Sequence, residues 1–205
     1  MKYRTILLLG APGAGKGTQG KILGTIPGFF HCACGDAFRS LTVANPISRI
    51  FIEYSQHGKL VPDGPTVELW SQSIENATRA GRFHPETDIL VLDGIPRNVH
   101  QAEILRETID VQAIFYLHCK DMTKMIHRLQ RRALKENRLD DANLEVIRHR
   151  LKVYDLETKP LLKFYGRKLV HLIDSTQTPV QVLTDMLKQL QGFAEPAKAQ
   201  RRAKK

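Results

Sequence analysis

Gly10-Ala11-Pro12-Gly13-Ala14-Gly15-Lys16-Gly17-Thr18 decides how the rest of this chain is read. Thr5-Ile6-Leu7-Leu8-Leu9 precedes it, an apolar run suited to a buried parallel strand, and residues 18–23 follow as the start of a helix. Strand, glycine loop and helix together are the setting that a phosphate-binding loop requires, and the spacing G-x-x-x-x-G-K is complete from Gly10 to Lys16. Glycines allow consecutive backbone N–H groups to turn toward an anion with no Cβ in the way. The helix adds the positive end of its dipole. Lys16 can reach the outer phosphates as a mobile point charge. In the general form of the motif a Ser or Thr follows the lysine and holds Mg²⁺. Here Gly17 follows and Thr18 comes next, so the loop itself is not expected to grip the metal.

The remaining apolar runs repeat the first one. Residues 89–92, 113–117 and 169–173 read as buried strands, with 28–31 as a fourth beside the first. Helical stretches lie between them at 47–57, 67–80, 99–108, 123–134, 144–165 and 180–190. Alternation of this kind predicts an α/β fold, a three-layer sandwich with a central parallel sheet wrapped on both faces. Right-handed crossovers then gather the strand C-termini and the Gly10 loop on one edge.

Composition narrows the function classes. The chain has 205 residues, of which 42% are hydrophobic and 25% charged, as in a globular domain of ordinary size. Its net charge is +10, and +4 of that lies in residues 194–205, where Lys198, Arg201, Arg202, Lys204 and Lys205 face Glu195. That tail is expected to be a disordered, solvated extension of a single domain spanning residues 1–193. The remaining positive charge suits a site for polyanions, and no nucleic-acid recognition module accompanies it. Three cysteines, Cys32, Cys34 and Cys119, without a C-x-x-C pair, argue against a disulfide framework or a zinc site. The apolar run near the N-terminus is too short for a signal peptide, and no stretch approaches a membrane span. A cytoplasmic location without membrane association is expected.

Three further stretches carry charge chemistry. In Val91-Leu92-Asp93-Gly94-Ile95-Pro96-Arg97, Asp93 ends a buried strand on the same edge as the phosphate loop. It can orient Mg²⁺ through the ion's water shell, since Mg²⁺ dehydrates reluctantly. Arg97 projects from the loop just beyond. Within His31-Cys32-Ala33-Cys34-Gly35-Asp36-Ala37-Phe38-Arg39, Gly35-Asp36 reads as a helix start, with Asp36 as N-cap and Arg39 near the first turn. Gly58-Lys59-Leu60-Val61-Pro62-Asp63 reads as a turn. Arg128 and Arg132 are four apart and share a helix face that shows no acidic partner; Arg138, Asp140, Asp141 and Arg150 follow.

These stretches together resemble the nucleoside monophosphate kinases, and the adenylate kinase family above all. The resemblance runs from residue 5 to 191 through GAPGAGKGTQ, the His31–Arg39 segment, GKLVPD, Asp93-Gly94-Ile95-Pro96-Arg97 with Gln101, Arg128 with Arg132, Arg138-Leu139-Asp140-Asp141, and Arg150-Leu151-Lys152-Val153-Tyr154 with Thr158-Lys159-Pro160. It implies reversible, Mg²⁺-dependent phosphoryl transfer, ATP + AMP = 2 ADP. It further implies that Gly13, Ala14, Gly15, Lys16, Gly17 and Thr18 cradle ATP, with Arg128 and Arg132 on its phosphates. Arg39 and Arg97 would clamp the monophosphate, Gln101 would read its base, and Cys34, Lys59, Leu60, Val61, Gly94, Ile95 and Pro96 would line that pocket. Arg138 and Arg150 would bridge to the moving phosphoryl, and Asp93 and Asp36 would hold Mg²⁺ through water. A monophosphate-binding flap near 32–61 and a short lid near 131–141 without zinc are implied as well, in a monomer.

The chain departs from the family pattern at Ala33-Cys34, where Ser-Thr is usual, at Ile95 for Phe, and at Arg131 for Gly. Pyrimidine-specific relatives carry Asn where this chain has Gln101, so AMP is expected over UMP or CMP, the alternative acceptors. A switch GTPase would need N-K-x-D. The nearest stretch, Asn137-Arg138-Leu139-Asp140, lacks the lysine. A nucleic-acid-binding protein on a relict kinase fold would rest on the basic tail alone.

Overall fold

A computed structural model describes residues 2–136, 138, 141 and 143–191. Five parallel strands form one sheet: β1 (Tyr3–Leu9), β2 (Phe29–Ala33), β3 (Ile89–Asp93), β4 (Ile109–His118) and β5 (Val170–Asp174), in the order β2-β3-β1-β4-β5. The chain leaves β1 toward one edge and, after β3, crosses over to β4 on the other side. The crevice at the carboxyl ends of the central strands therefore opens where the connections diverge.

The period-2 alternation of the strands explains how both faces are covered. Leu7, Leu9, Leu90, Leu92 and Ile114 face one way. They pack against Leu69, Trp70, Ile74 and Ala77 of α4 (Asp63–Arg79), Ala102 and Leu105 of α5 (Val99–Leu105), and Leu161 of α8 (Leu161–Tyr165). Ile6, Leu8, Val91, Ala113, Phe115 and Ile173 face the other way, onto Leu23 of α1 (Lys16–Leu23) and Val182, Met186 and Leu190 of α9 (Pro179–Leu190). This is the three-layer α/β sandwich expected from the sequence.

The helices α2 (Cys34–Arg39) and α3 (Pro46–Gln56) follow β2, and α6 (Met122–Glu136) and α7 (Leu144–Val153) follow β4. Met125 and Leu129 of α6 pack on Ile147 and Leu151 of α7, each pair one turn apart. That apolar seam leaves other faces of the two helices to carry arginines over the cleft.

Five local expectations need correction. The strand expected beside the first does not lie there: β2 pairs with β3, which separates it from β1. The stretch 144–165 is not one helix: a π-helical turn (Tyr154–Thr158) intervenes, in which Lys159 N–H bonds to Tyr154 O at 3.0 Å. Pro160 has no N–H to donate, so the α-helical ladder cannot run through it. Asp36 is not an N-cap. The helix α2 starts at Cys34 with Ala33 as its uncapped boundary, and Asp36 sits in the first turn. The helix expected over 99–108 stops at Leu105, and the strand expected to start at 113 starts at Ile109. Tyr3, Arg4 and Thr5 pair with Ile109, Asp110 and Val111, and the register shifts between Thr5 and Ile6. Asp140 and the tail 194–205 lie outside the described residues.

Candidate functional site

A cleft of about 720 Å³ opens at the carboxyl edge of the sheet. One wall is the loop between β1 and α1. Gly13 has φ +83°, and a Cβ there would meet Met125 O at 2.9 Å and Leu129 Cγ at 3.2 Å, so the close approach of α6 leaves space for glycine alone. Gly15, at φ +96°, precedes α1 without a side-chain cap, which leaves first-turn amides of that helix available to an anion. Lys16 Nζ donates to Gly10 O at 2.7 Å and Ala11 O at 3.2 Å. Burial lowers the Lys16 pKa to about 8; Asp93 raises it, and Arg97, Arg132 and Arg150 lower it further. This ammonium is therefore poised to gain from a polyanion.

Arginines supply much of the opposite wall and the roof. Arg97 Nε donates to Gly94 O at 2.9 Å. Its backbone is held on both sides, since its N–H donates to Gln101 Oε1 and its carbonyl accepts from Thr158 Oγ1, each at 2.7 Å. Arg128 donates to Ser175 O at 2.8 Å. Arg132 Nε donates to Asp141 Oδ2 at 2.7 Å, and Arg150 donates to the other oxygen, Oδ1, of the same carboxylate. Arg138 pairs with Glu136 at 2.6 Å and reaches Asp36 at 3.5 Å. The expectation of an arginine row without acidic partners is thus corrected. Asp141, 0% exposed, comes from beyond α6 and serves Arg132 and Arg150 together. One buried carboxylate meeting two guanidinium forks is a strong charge-assisted arrangement, and it fixes where both arginines sit.

Gly13, Ala14, Gly15, Lys16, Gly17, Thr18, Arg128 and Arg132 all line the cleft, as do Arg39, Lys59, Leu60, Val61, Gly94, Pro96, Arg97, Arg138 and Arg150. Three of the expected residues do not: Cys34, Ile95 and Gln101 are 2%, 1% and 0% exposed and lie behind the lining. Burial pushes the Cys34 thiol up to about 11 and the Cys32 thiol to about 12, so both are protonated and unreactive at neutral pH.

The two carboxylates expected near the metal differ. Asp93 ends β3 at the cleft, and a Cβ on Gly17 would stand 3.6 Å from its Oδ2. Glycine at 17 keeps open the space beside that carboxylate, which suits a hydrated cation. Asp36 is surrounded by Arg39 at 2.9 Å, Arg138 at 3.5 Å and Lys21 at 3.7 Å. Those cations hold its carboxyl below the usual range despite its partial burial. Among the described residues no group of three or more His, Cys, Asp or Glu side chains could hold a metal ion. No described helix is long and apolar enough to cross a membrane.

Four positions with structural leverage on the site were not singled out by sequence: Asp141, Asp63, Asn98 and Thr158. Asp141 and Thr158 lay inside motifs without a stated role. Asp63 closes the GKLVPD stretch and Asn98 caps α5, accepting from Gln101 N–H at 2.7 Å, but the contact between the two, 35 residues apart, has no local signal.

Comparison with known proteins points to a family. The family profile described as adenylate kinase matches residues 8–170. An adenylate kinase of Thermobifida fusca is 36% identical over 187 residues, covering 87% of this chain and 93% of that protein. One from Prochlorococcus marinus is 35% identical, covering 80% and 84% of the two chains. One from Clostridium novyi is 31% identical, covering 91% and 98%.

Proposed function

The chain belongs to the adenylate kinase family of nucleoside monophosphate kinases, and on that premise we propose that it catalyses ATP + AMP = 2 ADP with the residues gathered in this cleft. The observation that carries the proposal is the convergence of the glycine loop, Lys16 and arginines from five separate segments on one cavity. A UMP/CMP-type kinase is not favoured, given the relatives found and Gln101.

The chemistry follows from charge. The attacking group is a phosphate oxygen of the monophosphate, already ionised at neutral pH, so no general base is required. Catalysis then reduces to aligning two polyanions and neutralising charge on the passing phosphoryl group. Gly13 to Thr18 with Lys16, Arg128 and Arg132 hold ATP. Arg39 and Arg97 clamp the monophosphate, with Lys59, Leu60, Val61, Gly94 and Pro96 around it and Ile95 and Cys34 packed behind. Arg138 and Arg150 neutralise charge between the two. Asp93 would hold the Mg²⁺ carried with ATP through the ion's water shell, and the ion would supply charge shielding for the phosphates. The ion pairs around Asp36 make it the lesser contributor. Residues 32–61 act as a flap on the monophosphate and 131–141 as a short zinc-free lid, closing to exclude water from the transfer. The protein works as a cytoplasmic monomer.

The test is ADP formation from Mg²⁺-ATP with AMP, CMP, UMP and GMP offered singly. Turnover with AMP is expected. Turnover with a pyrimidine monophosphate instead would overturn the acceptor assignment. ATP binding without turnover on any monophosphate would overturn the enzyme reading.

A further inference from the structure

Behind the monophosphate side of the cleft lies a part-buried hydrogen-bonded network that ties the end of GKLVPD to the Arg97–Gln101 loop. Asp63 opens α4, 38 residues from Gln101 and 35 from Asn98. Its Oδ1 accepts from Gln101 Nε2 at 2.8 Å and from Asn98 Nδ2 at 3.0 Å. Asn98 Oδ1 in turn accepts from Gln101 N at 2.7 Å, and Gln101 Oε1 accepts from Arg97 N at 2.7 Å. The other oxygen of Asp63 faces the exposed His100 at 4.0 Å.

The partners decide which way the Gln101 amide points. A backbone N–H can only donate, so Arg97 must meet the amide oxygen. A carboxylate can only accept, so Asp63 must meet the amide nitrogen. A flipped amide would set two donors against each other at one end and two acceptors at the other. Each bond uses half the capacity of its atom. Among the described residues the second N–H of Nε2 and the second lone pair of Oε1 take no partner, although Gln101 is 0% exposed. Buried polar groups are rarely left half-met without a reason, and a ligand supplies one.

We propose that Asp63 is a specificity-positioning residue, which locks the Gln101 amide so that it accepts only a base edge with an acceptor opposite nitrogen and a donor opposite oxygen. The 6-amino purine edge has that order, with N1 as acceptor and the amino group as donor. The 6-oxo purine edge has the reverse, with N1–H as donor and the oxo group as acceptor. The proposal rests on the reading of Gln101 as the base reader. Gln101 is fully covered, so a base must displace what covers it to reach the amide.

The test compares kcat/KM for AMP with that for IMP, two monophosphates that differ at this edge. The native protein should strongly prefer AMP. Asp63→Leu removes the acceptor and should narrow the AMP/IMP preference by about tenfold, the scale of one lost buried hydrogen bond, with KM for ATP unchanged. Asp63→Asn should restore most of the preference, because a single carbonyl oxygen can accept both bonds that now end on Oδ1. Asp63→Ala gives the same comparison with less bulk if the leucine variant does not fold. Gln101→Leu should narrow the preference at least as far, and adding Asp63→Leu to it should do nothing more. A narrowed preference in Gln101→Leu but not in Asp63→Leu or Asp63→Ala would overturn the positioning role. An unchanged preference in Gln101→Leu would overturn the base-reading assignment itself.

Discussion

The loop at residues 10–18 and the loop at residues 93–101 border the same cleft, and they are built in opposite ways. The first is local. Its φ-positive glycines and the start of α1 create the anion cradle within nine residues, and Lys16 bonds to carbonyls only five and six residues away. The second depends on distant partners. Arg97 is held by Gln101, Gln101 by Asp63, and the Arg97 carbonyl by Thr158, 61 residues further on. A site can therefore be rigid by backbone geometry on one side and by long-range side-chain bracing on the other.

Arg97→Ala offers the largest break in that comparison. Loss of one phosphate donor should lower kcat/KM for the monophosphate by about 10²–10³, by analogy with lost oxyanion donors. ATP affinity, measured by titration without the monophosphate, should stay close to native. Equal loss on both nucleotides would show that the two loops are not separate sites.

Asp141→Leu should affect both nucleotides, because Arg132 and Arg150 both lean on that carboxylate. Removing the acid leaves two guanidinium groups, 29% and 18% exposed, without their shared partner. We expect a stability loss of about 3 kcal/mol, at the low end for a broken buried pair because both arginines keep some solvent. For a domain of this size that lowers Tm by about 6–12 °C. An unchanged melting curve would refute the bracing role of Asp141.

The loop side can be tested by pH. Burial holds the Lys16 pKa near 8, and a bound triphosphate favours the charged form and raises it. Below about 8 Lys16 is charged with or without nucleotide, so affinity is flat there. Above it the empty protein loses the proton while the complex keeps it. Binding then takes up a proton, and ATP affinity falls by up to tenfold per pH unit. Calorimetry at pH 9 in buffers of different ionisation enthalpy should register that uptake, and Lys16→Met should abolish it. No uptake in the native protein would mean that Lys16 is not the phosphate contact.

The same contrast explains how far the sequence could be read. The sheet, its order of burial and the phosphate loop follow from features that are contiguous: Ile6 to Leu9 alternate between two cores, and the glycines stand where the backbone must turn. The arginines were visible as residues and as motif positions. Their supports were not, because a carboxylate nine residues from each of two arginines carries no periodic signature, and Asp63 reads locally only as the end of a turn. Gln101 was legible as a candidate, yet its burial was not, since that depends on how α4, α5 and the Arg97 loop meet. The break at Tyr154–Thr158 had a local cause in Pro160, and there the helical pattern of the flanking residues masked it.

Cys34 should give the smallest effect. It is the first residue of α2, sits behind the cleft lining and is protonated at neutral pH, so it offers a substrate neither charge nor a strong hydrogen bond. Threonine is close in size and adds a hydroxyl able to donate and accept at the start of a helix beside the Arg39 and Arg97 charges. We expect Cys34→Thr to keep kcat/KM for AMP or raise it about twofold, well under the energy of a full hydrogen bond, and to give no gain with CMP or UMP. A large loss with AMP would mean that this pocket is shaped around the thiol, and would move the specificity of the site from the braced amide of Gln101 to the residue packed behind it.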